Sequence, residues 1–378
     1  MDKEYQICTN CIMDTSDPQI TFDEDGVCNH CKEYQEKLDK FFRGVSDKKK
    51  KLSSILEQIK LSGKNKKYDC IIGVSGGVDS TYLAYIAVEK FGLRPLAVHF
   101  DNGWNSELSV ENIHKVLEKL DIDLHTHVVN WEEFKDLQLS FLKASVPDAE
   151  IPTDHAISAL LFKIASKYGI KYILGGSNIA TEAIMPRMWT YGVHDSRYIR
   201  DVQKKFGNKK LKTYPYYGLV KFFNYLFVKK LRNIHILNYI EYDKDEAMSL
   251  IQEELGWKYY GGKHFESIYT RFFQAYILPK KFNIDKRRAH LSTLILSGQM
   301  TRDEALNEME KNIYPKSLLA DDKEYVIKKL GLINDSFDEI MEKEVKTFHD
   351  YQTHYGIRQN LRGIITFLRK KHLWPKSI

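Results

Sequence analysis

From residue 68 to residue 178 the apolar and polar positions keep one rhythm, with short apolar runs alternating with longer amphipathic stretches. Runs at 70–74, 95–100, 125–129 and 172–174 are too short for helices and rich in Val, Ile, Leu and Phe, so they predict strands. After the first run, Leu83, Ile86 and Ala87 recur at helical spacing and predict a helix to 91; further helices are expected over 106–120 and 152–168. Such alternation predicts an α/β fold, a doubly wound parallel sheet whose ligands meet the carboxyl ends of its strands. From 291 the pattern is helical, and Thr301-Arg302-Asp303-Glu304 has the form of a capped helix start.

The first strand stops at Ser75-Gly76-Gly77, and Asp79 and Ser80 stand where the next helix is capped. Adjacent glycines let successive N–H groups turn into one hollow, and the helix N-terminus adds partial positive charge, so the hollow suits a phosphate. No Lys follows the second glycine, which excludes the GxxxxGK[ST] loop. The hexapeptide SGGVDS instead resembles the PP-loop of the ATP pyrophosphatases. That resemblance implies ATP as the nucleotide, with Val74, Ser75, Gly76, Gly77, Asp79 and Ser80 around the departing pyrophosphate. It also implies adenosine at the second strand end, His99, Phe100 and Asp101, and a nucleotide flanked by Gly175, Gly176 and Ser177. Asp79 and Asp154 are the candidate Mg2+ contacts, since a hard cation prefers carboxylate and phosphate oxygens; Asp154 also reads as a plain helix cap.

Four of the five cysteines form Cys8-x2-Cys11 and Cys28-x2-Cys31, the four-thiolate spacing of a structural Zn2+ site. An iron–sulfur cluster and a disulfide pair are the competing uses of such a set. A module of about 45 residues is close to the size below which chains need a staple, so the metal is expected to fold it. The charged start and the lack of a long apolar run point to the cytoplasm and to no membrane span.

A net charge of +6 is compatible with nucleotide, sugar-nucleotide or RNA partners and selects none. Its distribution is more telling, because residues 202–240 carry eight Lys and one Arg among many aromatics with no Asp or Glu. The stretch is either a solvated basic face or a surface for nucleic acid, anionic lipid or an acidic partner protein. Farther on, Lys263, His264, Glu266 and Arg271 crowd polar groups beside the Gly261-Gly262 turn. The two cations are candidates to neutralise pyrophosphate, and His264 or Glu266 to take a proton from an incoming amine.

SGGVDS, the cysteine quartet, YILGGSN (172–178), GWKYYGGKHFES (256–267), TRFFQAYILPKKF (270–282) and LSTLILSGQMTRDEAL (291–306) together resemble the bacterial N-acetyl sugar amidotransferases, the WbpG- and PseA-like PP-loop proteins. The resemblance runs from about Cys8 to Met309. It implies conversion of the acetamido group of a nucleotide-activated sugar to an acetamidino group, in lipopolysaccharide O-antigen or flagellin (pseudaminic acid) glycan biosynthesis. Three regions are expected: a zinc module over 1–45, an ATP-binding α/β domain over 46–205, and a mostly helical region over 206–378 contributing to the substrate site. Cys70 falls inside a strand and the other cysteines serve the metal, leaving none to attack glutamine. Ammonia is therefore expected from separate glutaminase and cyclase-like subunits, of the imidazole-glycerol-phosphate synthase kind. The alternative is a PP-loop enzyme that modifies tRNA through an adenylate.

Overall fold

A computed structural model describes residues 4–42, 47–262 and 265–356. Five parallel strands, β1 (Cys70–Gly73), β2 (Pro95–Asp101), β3 (Leu124–Val128), β4 (Tyr172–Leu174) and β5 (Arg232–Ile234), form one sheet in the order β3-β2-β1-β4-β5. The chain steps outward from β1 to β2 and β3, then returns to lay β4 and β5 on the other side. The direction of winding therefore reverses between β1 and β4, and the crevice above their carboxyl ends is where such sheets bind ligands.

Six helices precede or join the first four strands: α1 (Asn29–Phe42), α2 (Lys48–Gly63), α3 (Val78–Tyr85), α4 (Glu107–Lys119), α5 (Trp131–Lys143) and α6 (Ile151–Tyr168). Side chains alternate across a strand, and here both faces are covered. Ile71, Leu96, Val98 and Ile173 pack with Phe134, Leu137 and Phe141 of α5 and Leu160 of α6. Cys70, Ile72, Ala97 and Leu174 pack on the opposite face with Ile59 of α2, Leu83 of α3 and Ile113 and Val116 of α4. Two buried faces explain why the strands read as continuous apolar runs.

The expected strands, and the helices expected over 106–120 and 152–168, form with ends shifted by one residue or so, while the helix expected to 91 is an α-helix to Tyr85 that continues as a π-helical turn over Ile86–Lys90. Among the elements not anticipated are one helix and one strand of the sheet layer. Helix α5 carries ordinary signals, an Asn130 cap that accepts from the Glu133 amide and a Phe134, Leu137, Phe141 stripe that is buried. Strand β5 lies inside the basic 202–240 stretch and joins the same sheet; three residues give no periodicity to read.

The cysteine module is bound to the C-terminal helices through backbone groups. The Arg302 guanidinium donates to the carbonyls of Cys8 and Cys11 at 3.0 and 3.1 Å. Arg288 donates to the Ile12 carbonyl at 3.0 Å and pairs with Asp14 at 2.9 Å, while the Ile12 amide donates to Ser292 Oγ. Ile12 packs with Leu291 and Ala305 beneath these contacts. Thr301 and Glu304 form the capping box that the sequence suggested. Replacing Arg302 by Ala removes two charge-assisted hydrogen bonds, so Arg302→Ala is expected to cost about 2 kcal/mol in a denaturant titration and to speed proteolysis within 4–42. Unchanged melting and cleavage would show that the module does not depend on this anchor.

Candidate active site and metal centre

The loop after β1 is held in shape by its own hydroxyls. Ser80 Oγ donates to the Gly77 carbonyl at 3.1 Å, and Ser75 Oγ accepts from the Gly77 amide at 3.3 Å. Gly76 has φ +81°, and a Cβ there would lie 2.7 Å from the Ser109 carbonyl oxygen, so only glycine fits. Its carbonyl accepts from the buried indole of Trp257 at 2.8 Å. That anchor fixes the carbonyl on Trp257, so it is not free to turn toward a bound anion.

The segment that brings Glu266 here is stitched to the end of β2. The Ser106 amide donates to the Glu266 carbonyl at 2.9 Å, the Ile268 amide to the Trp104 carbonyl at 2.8 Å, and Asn105 and Ser267 form an antiparallel bridge. A cavity of about 230 Å3 results, lined by Ser75, Gly77, Asp79, Ser80, Gly176, Ser177, Glu182, Lys244, Tyr260 and Glu266. Tyr242 donates its hydroxyl to Asp79, and Tyr260 sits against Glu266. Burial, then the neighbouring carboxylate, pushes both phenols well above their ordinary range, so both remain donors.

A second cavity of about 520 Å3 opens over the ends of β1, β2 and β4 and shares Ser75, Gly176, Ser177 and Glu266 with the first. Gly73, Val98, Phe100 and Ile173 line its apolar part. At another part of its wall, Glu150 accepts from Gln274 at 2.7 Å and pairs with Lys286 at 3.0 Å. His99 is buried, with Nδ1 at 2.9 Å from the Val74 carbonyl and Nε2 at 3.0 Å from Asn105 Nδ2. Two such partners assign the proton to Nδ1 and make His99 a strut between the strand ends.

Most residues expected at the nucleotide are gathered here. Val74, Ser75, His99, Phe100, Gly175, Gly176, Ser177 and Asp154 line the larger cavity, and Ser75, Gly77, Asp79, Ser80 and Glu266 the smaller. Three lie elsewhere. Gly76 backs onto Ser109. Asp101 turns to the Gly103 amide at 2.9 Å. Arg271 is corrected outright as a pyrophosphate cation: its guanidinium grips Asp322 in two bonds of 2.6 and 2.7 Å and lines neither cavity. Lys263 and His264 lie outside the described residues. Lys244, Trp257, Glu150, Gln274 and Lys286 were given no role in the sequence reading, although Trp257 and Gln274 stand inside motifs that it singled out.

Asp79 lines the smaller cavity and Asp154 the larger. Among the described residues, Asp79, Glu182, Glu266 and Lys244 are the charged groups that line the smaller cavity. Oxygen donors of this kind fit Mg2+, which completes its shell from phosphate and water.

The four cysteine sulfurs lie within 4.8 Å of one another, with Cys8–Cys31 at 3.8 Å and Cys11–Cys28 and Cys28–Cys31 at 3.7 Å. Ligands about 2.3 Å from a tetrahedral zinc stand about 3.8 Å apart, so the set fits one Zn2+ and is too wide for disulfides. Amides of Cys28 and Cys11 point at Cys8 Sγ, and the Met13 amide at Cys11 Sγ, which favours thiolate. His30 is held by Asp17 at 2.7 Å and stands outside the set.

A family model described as the LPS biosynthesis protein WbpG-like C-terminal domain matches residues 266–375, and one described as NAD synthase matches 38–205. With the glycine loop at the reversal point of a parallel sheet, these matches define an ATP-utilising PP-loop enzyme of NAD synthase-like fold, of the amidotransferase and ligase type. Within that class the C-terminal match supports a WbpG-like PP-loop protein. An uncharacterised protein of Methanocaldococcus jannaschii, MJ1599, is 24% identical over 280 residues, 71% of this chain and 82% of that one. Among solved structures, NMN synthetase from Francisella tularensis is 16% identical with a TM-score of 0.30, over 60% of this chain and 92% of its own. The NH3-dependent NAD synthetase of Campylobacter jejuni is 15% identical with a TM-score of 0.30, over 76% and 97%.

Elemental analysis of purified protein is expected to give one zinc per chain, lost in Cys28→Ser; iron in its place would overturn the assignment. A second test is pH-dependent. Burial pushes the Asp148 carboxyl up to about 7, against hydrogen bonds from the Tyr191 amide and Tyr198 hydroxyl. With the folded value above the unfolded one near ~3.9, its contribution to stability is whole below about pH 4 and is lost as pH rises to about 7. Asp148→Asn should flatten that decline by on the order of a few kcal/mol in denaturant melts across the window. A decline of unchanged depth would assign it to other groups.

Proposed function

We propose that this protein is an ATP-dependent amidotransferase that turns the acetamido group of a nucleotide-activated sugar into an acetamidino group. The observation that carries the reading is the meeting of two cavities at Ser75, Gly176, Ser177 and Glu266. The smaller one suits the diphosphate of ATP. The apolar part of the larger one suits adenosine, and the part with Glu150, Gln274 and Lys286 suits a hydrogen-bonding amide substrate. The WbpG-like C-terminal match, which begins at Glu266, supports the sugar as that substrate.

An amide oxygen is a poor leaving group, and ATP remedies this. The amide oxygen attacks the α-phosphorus, the bond to the β-phosphate breaks, and the amide N–H proton is lost, giving a neutral imidate carrying AMP. Ammonia adds to the imidate carbon, AMP leaves with the original oxygen, and an acetamidine remains. Loop amides and Lys244 would stabilise the charge that develops on pyrophosphate. Glu266, at the junction, is placed to take the proton released by the amide or by ammonia. Bound Mg2+ would supply charge neutralisation beside Asp79.

The ammonia source follows from the thiols. Four cysteines form the metal cluster, and Cys70 is fully buried in β1, which pushes its thiol well above the ordinary range. No cysteine is left to open glutamine, so we assign ammonia delivery to a separate glutaminase with a cyclase-like partner.

Incubation with ATP, Mg2+, ammonium salt and UDP- or CMP-linked N-acetyl sugars is expected to release AMP and pyrophosphate. The sugar should change mass by the exchange of O for NH. Asp79→Ala and Lys244→Ala should each slow AMP release by about 100-fold while circular dichroism is unchanged. AMP release that requires tRNA would replace this reading by the tRNA-modifying one, and full activity of Lys244→Ala would remove that lysine from the site.

A further inference from the structure

The segment 207–214 carries three lysines, yet the two carboxylates beneath it are spent on its backbone. Asp136 of α5 accepts from the Asn208 and Lys209 amides at 3.0 and 2.8 Å and from Gln203 Nε2 at 2.6 Å. Glu133, about one turn earlier on α5, accepts from the Lys212 and Thr213 amides at 2.9 Å and from the Tyr214 amide at 3.3 Å. Both carboxylates are buried. A buried network whose members are satisfied is rigid, so these lysines stand on a fixed frame.

Arg200 and Lys204, on the helix Ser196–Phe206, join Lys209 and Lys210 around a cavity of about 430 Å3. Ile199, Leu211 and the half-exposed Tyr216 form its apolar wall, and none of its lining residues is acidic. Carboxylates near these cations are already committed. Glu132 pairs with Lys209 at 3.0 Å; Asp201, which also feels Lys204, pairs with Lys205 at 2.8 Å and accepts from the Gln352 amide. Like charges gathered round one hollow repel, and an entering anion offsets that repulsion. The volume lies within the range of small-molecule sites, about 300–1,000 Å3.

From this we infer a second ligand site, between the helix Ser196–Phe206 and residues 207–216, that takes a small phosphate ester carrying an apolar or aromatic group. Arg200, Lys204 and Lys210 meet the phosphate, the arginine as a planar fork and the lysines as compact charges. Ile199, Leu211 and Tyr216 meet the other end. A single hollow holds one such molecule, whereas a single-stranded nucleic acid needs a groove that tracks its backbone. The site shares no lining residue with the two nucleotide cavities but stands directly behind one of them. Tyr214 in its wall is buried and donates to the Pro152 carbonyl at 2.7 Å, and the next residue, Thr153, lines the larger cavity.

Phenyl phosphate has both ends and no nucleoside, which makes it the probe for calorimetric titration of the full chain. One equivalent is expected to bind, with inorganic phosphate and phenol each weaker by about tenfold or more. Lys204→Glu with Lys210→Glu should also weaken the probe about tenfold or more, with circular dichroism unchanged, whereas Lys244→Ala should bind it as wild type does. Tyr216→Ala should weaken phenyl phosphate and leave inorganic phosphate as it was. Equal binding of the three compounds, or a probe lost in Lys244→Ala and kept in the double variant, would overturn the proposal. A soluble ester and a phospholipid headgroup share this chemistry. Displacement of the probe by phosphatidylglycerol vesicles, and not by phosphatidylcholine ones, would identify the headgroup; displacement by neither would identify the soluble ester. Among the described residues no helix is long and apolar enough to cross a membrane, so a lipid would be met at the bilayer surface.

Discussion

Everything at the nucleotide end of this protein depends on where one carbonyl oxygen points. Gly76 sits in a left-handed conformation against Ser109, and its carbonyl is buried on the outside of the loop. Left without a donor there it would cost about 1–3 kcal/mol, and a peptide flip into the hollow would place a negative dipole end where phosphate belongs. The Trp257 indole supplies the donor. Trp257 is itself fixed from both sides: Gly256 takes the left-handed turn that ends the preceding helix, and Asn112 of α4 holds Lys258 by amide and carbonyl at 2.9 and 2.8 Å. The anion cradle is thus completed by a segment 181 residues later in the chain.

The same distribution governs charge. A GxxxxGK[ST] loop carries its lysine with it, whereas here the lysine on the cavity, Lys244, arrives from the start of a later helix, and Asp79, Glu182 and Glu266 face it. Among the described residues, three carboxyl groups and one ammonium face this cavity, a set that suits a polyphosphate carrying a divalent cation. Tyr242 on Asp79 and Tyr260 beside Glu266 hold the carboxylates in place meanwhile. Nucleotide and metal are then expected to enter together, so that the loop amides meet a partly neutralised chain.

How much of this was legible follows from the range of each interaction. SGGVDS, the two C-x2-C pairs and the apolar runs are local signals, and they located the sheet, the loop and the cysteine cluster. Helix α5 was equally local, with its Asn130 cap and buried stripe, and was simply not read. Lys244, Glu150 and Lys286 carry no local signal, because a lysine opening a helix looks like any solvated lysine until folding sets it against a carboxylate. Arg271 failed for the reverse reason. Its place in a polar cluster suggested phosphate, but Asp322, 51 residues later, takes its Nε and Nη2, and Tyr314 donates to the same carboxylate. A bidentate pair of this kind holds the guanidinium on its carboxylate partner, away from both cavities.

One helix, Lys286–Leu296, relates the metal module to the chemistry. Lys286 at its start pairs with Glu150 in the wall of the larger cavity. Two residues on, Arg288 holds Ile12 and Asp14, and a further turn brings Ser292 to the Ile12 amide. Thr293 accepts from the amide of Ile184, next to Met185 in the same cavity. The turns that present these backbone groups exist only while four sulfurs converge, since so short a segment has little core of its own. A bound Zn2+ would act at a distance, by holding the module against which the helix carrying Lys286 is packed. Loss of the metal would therefore loosen the amide end of the cavity while leaving the glycine cradle, anchored through Trp257 and α4, in place.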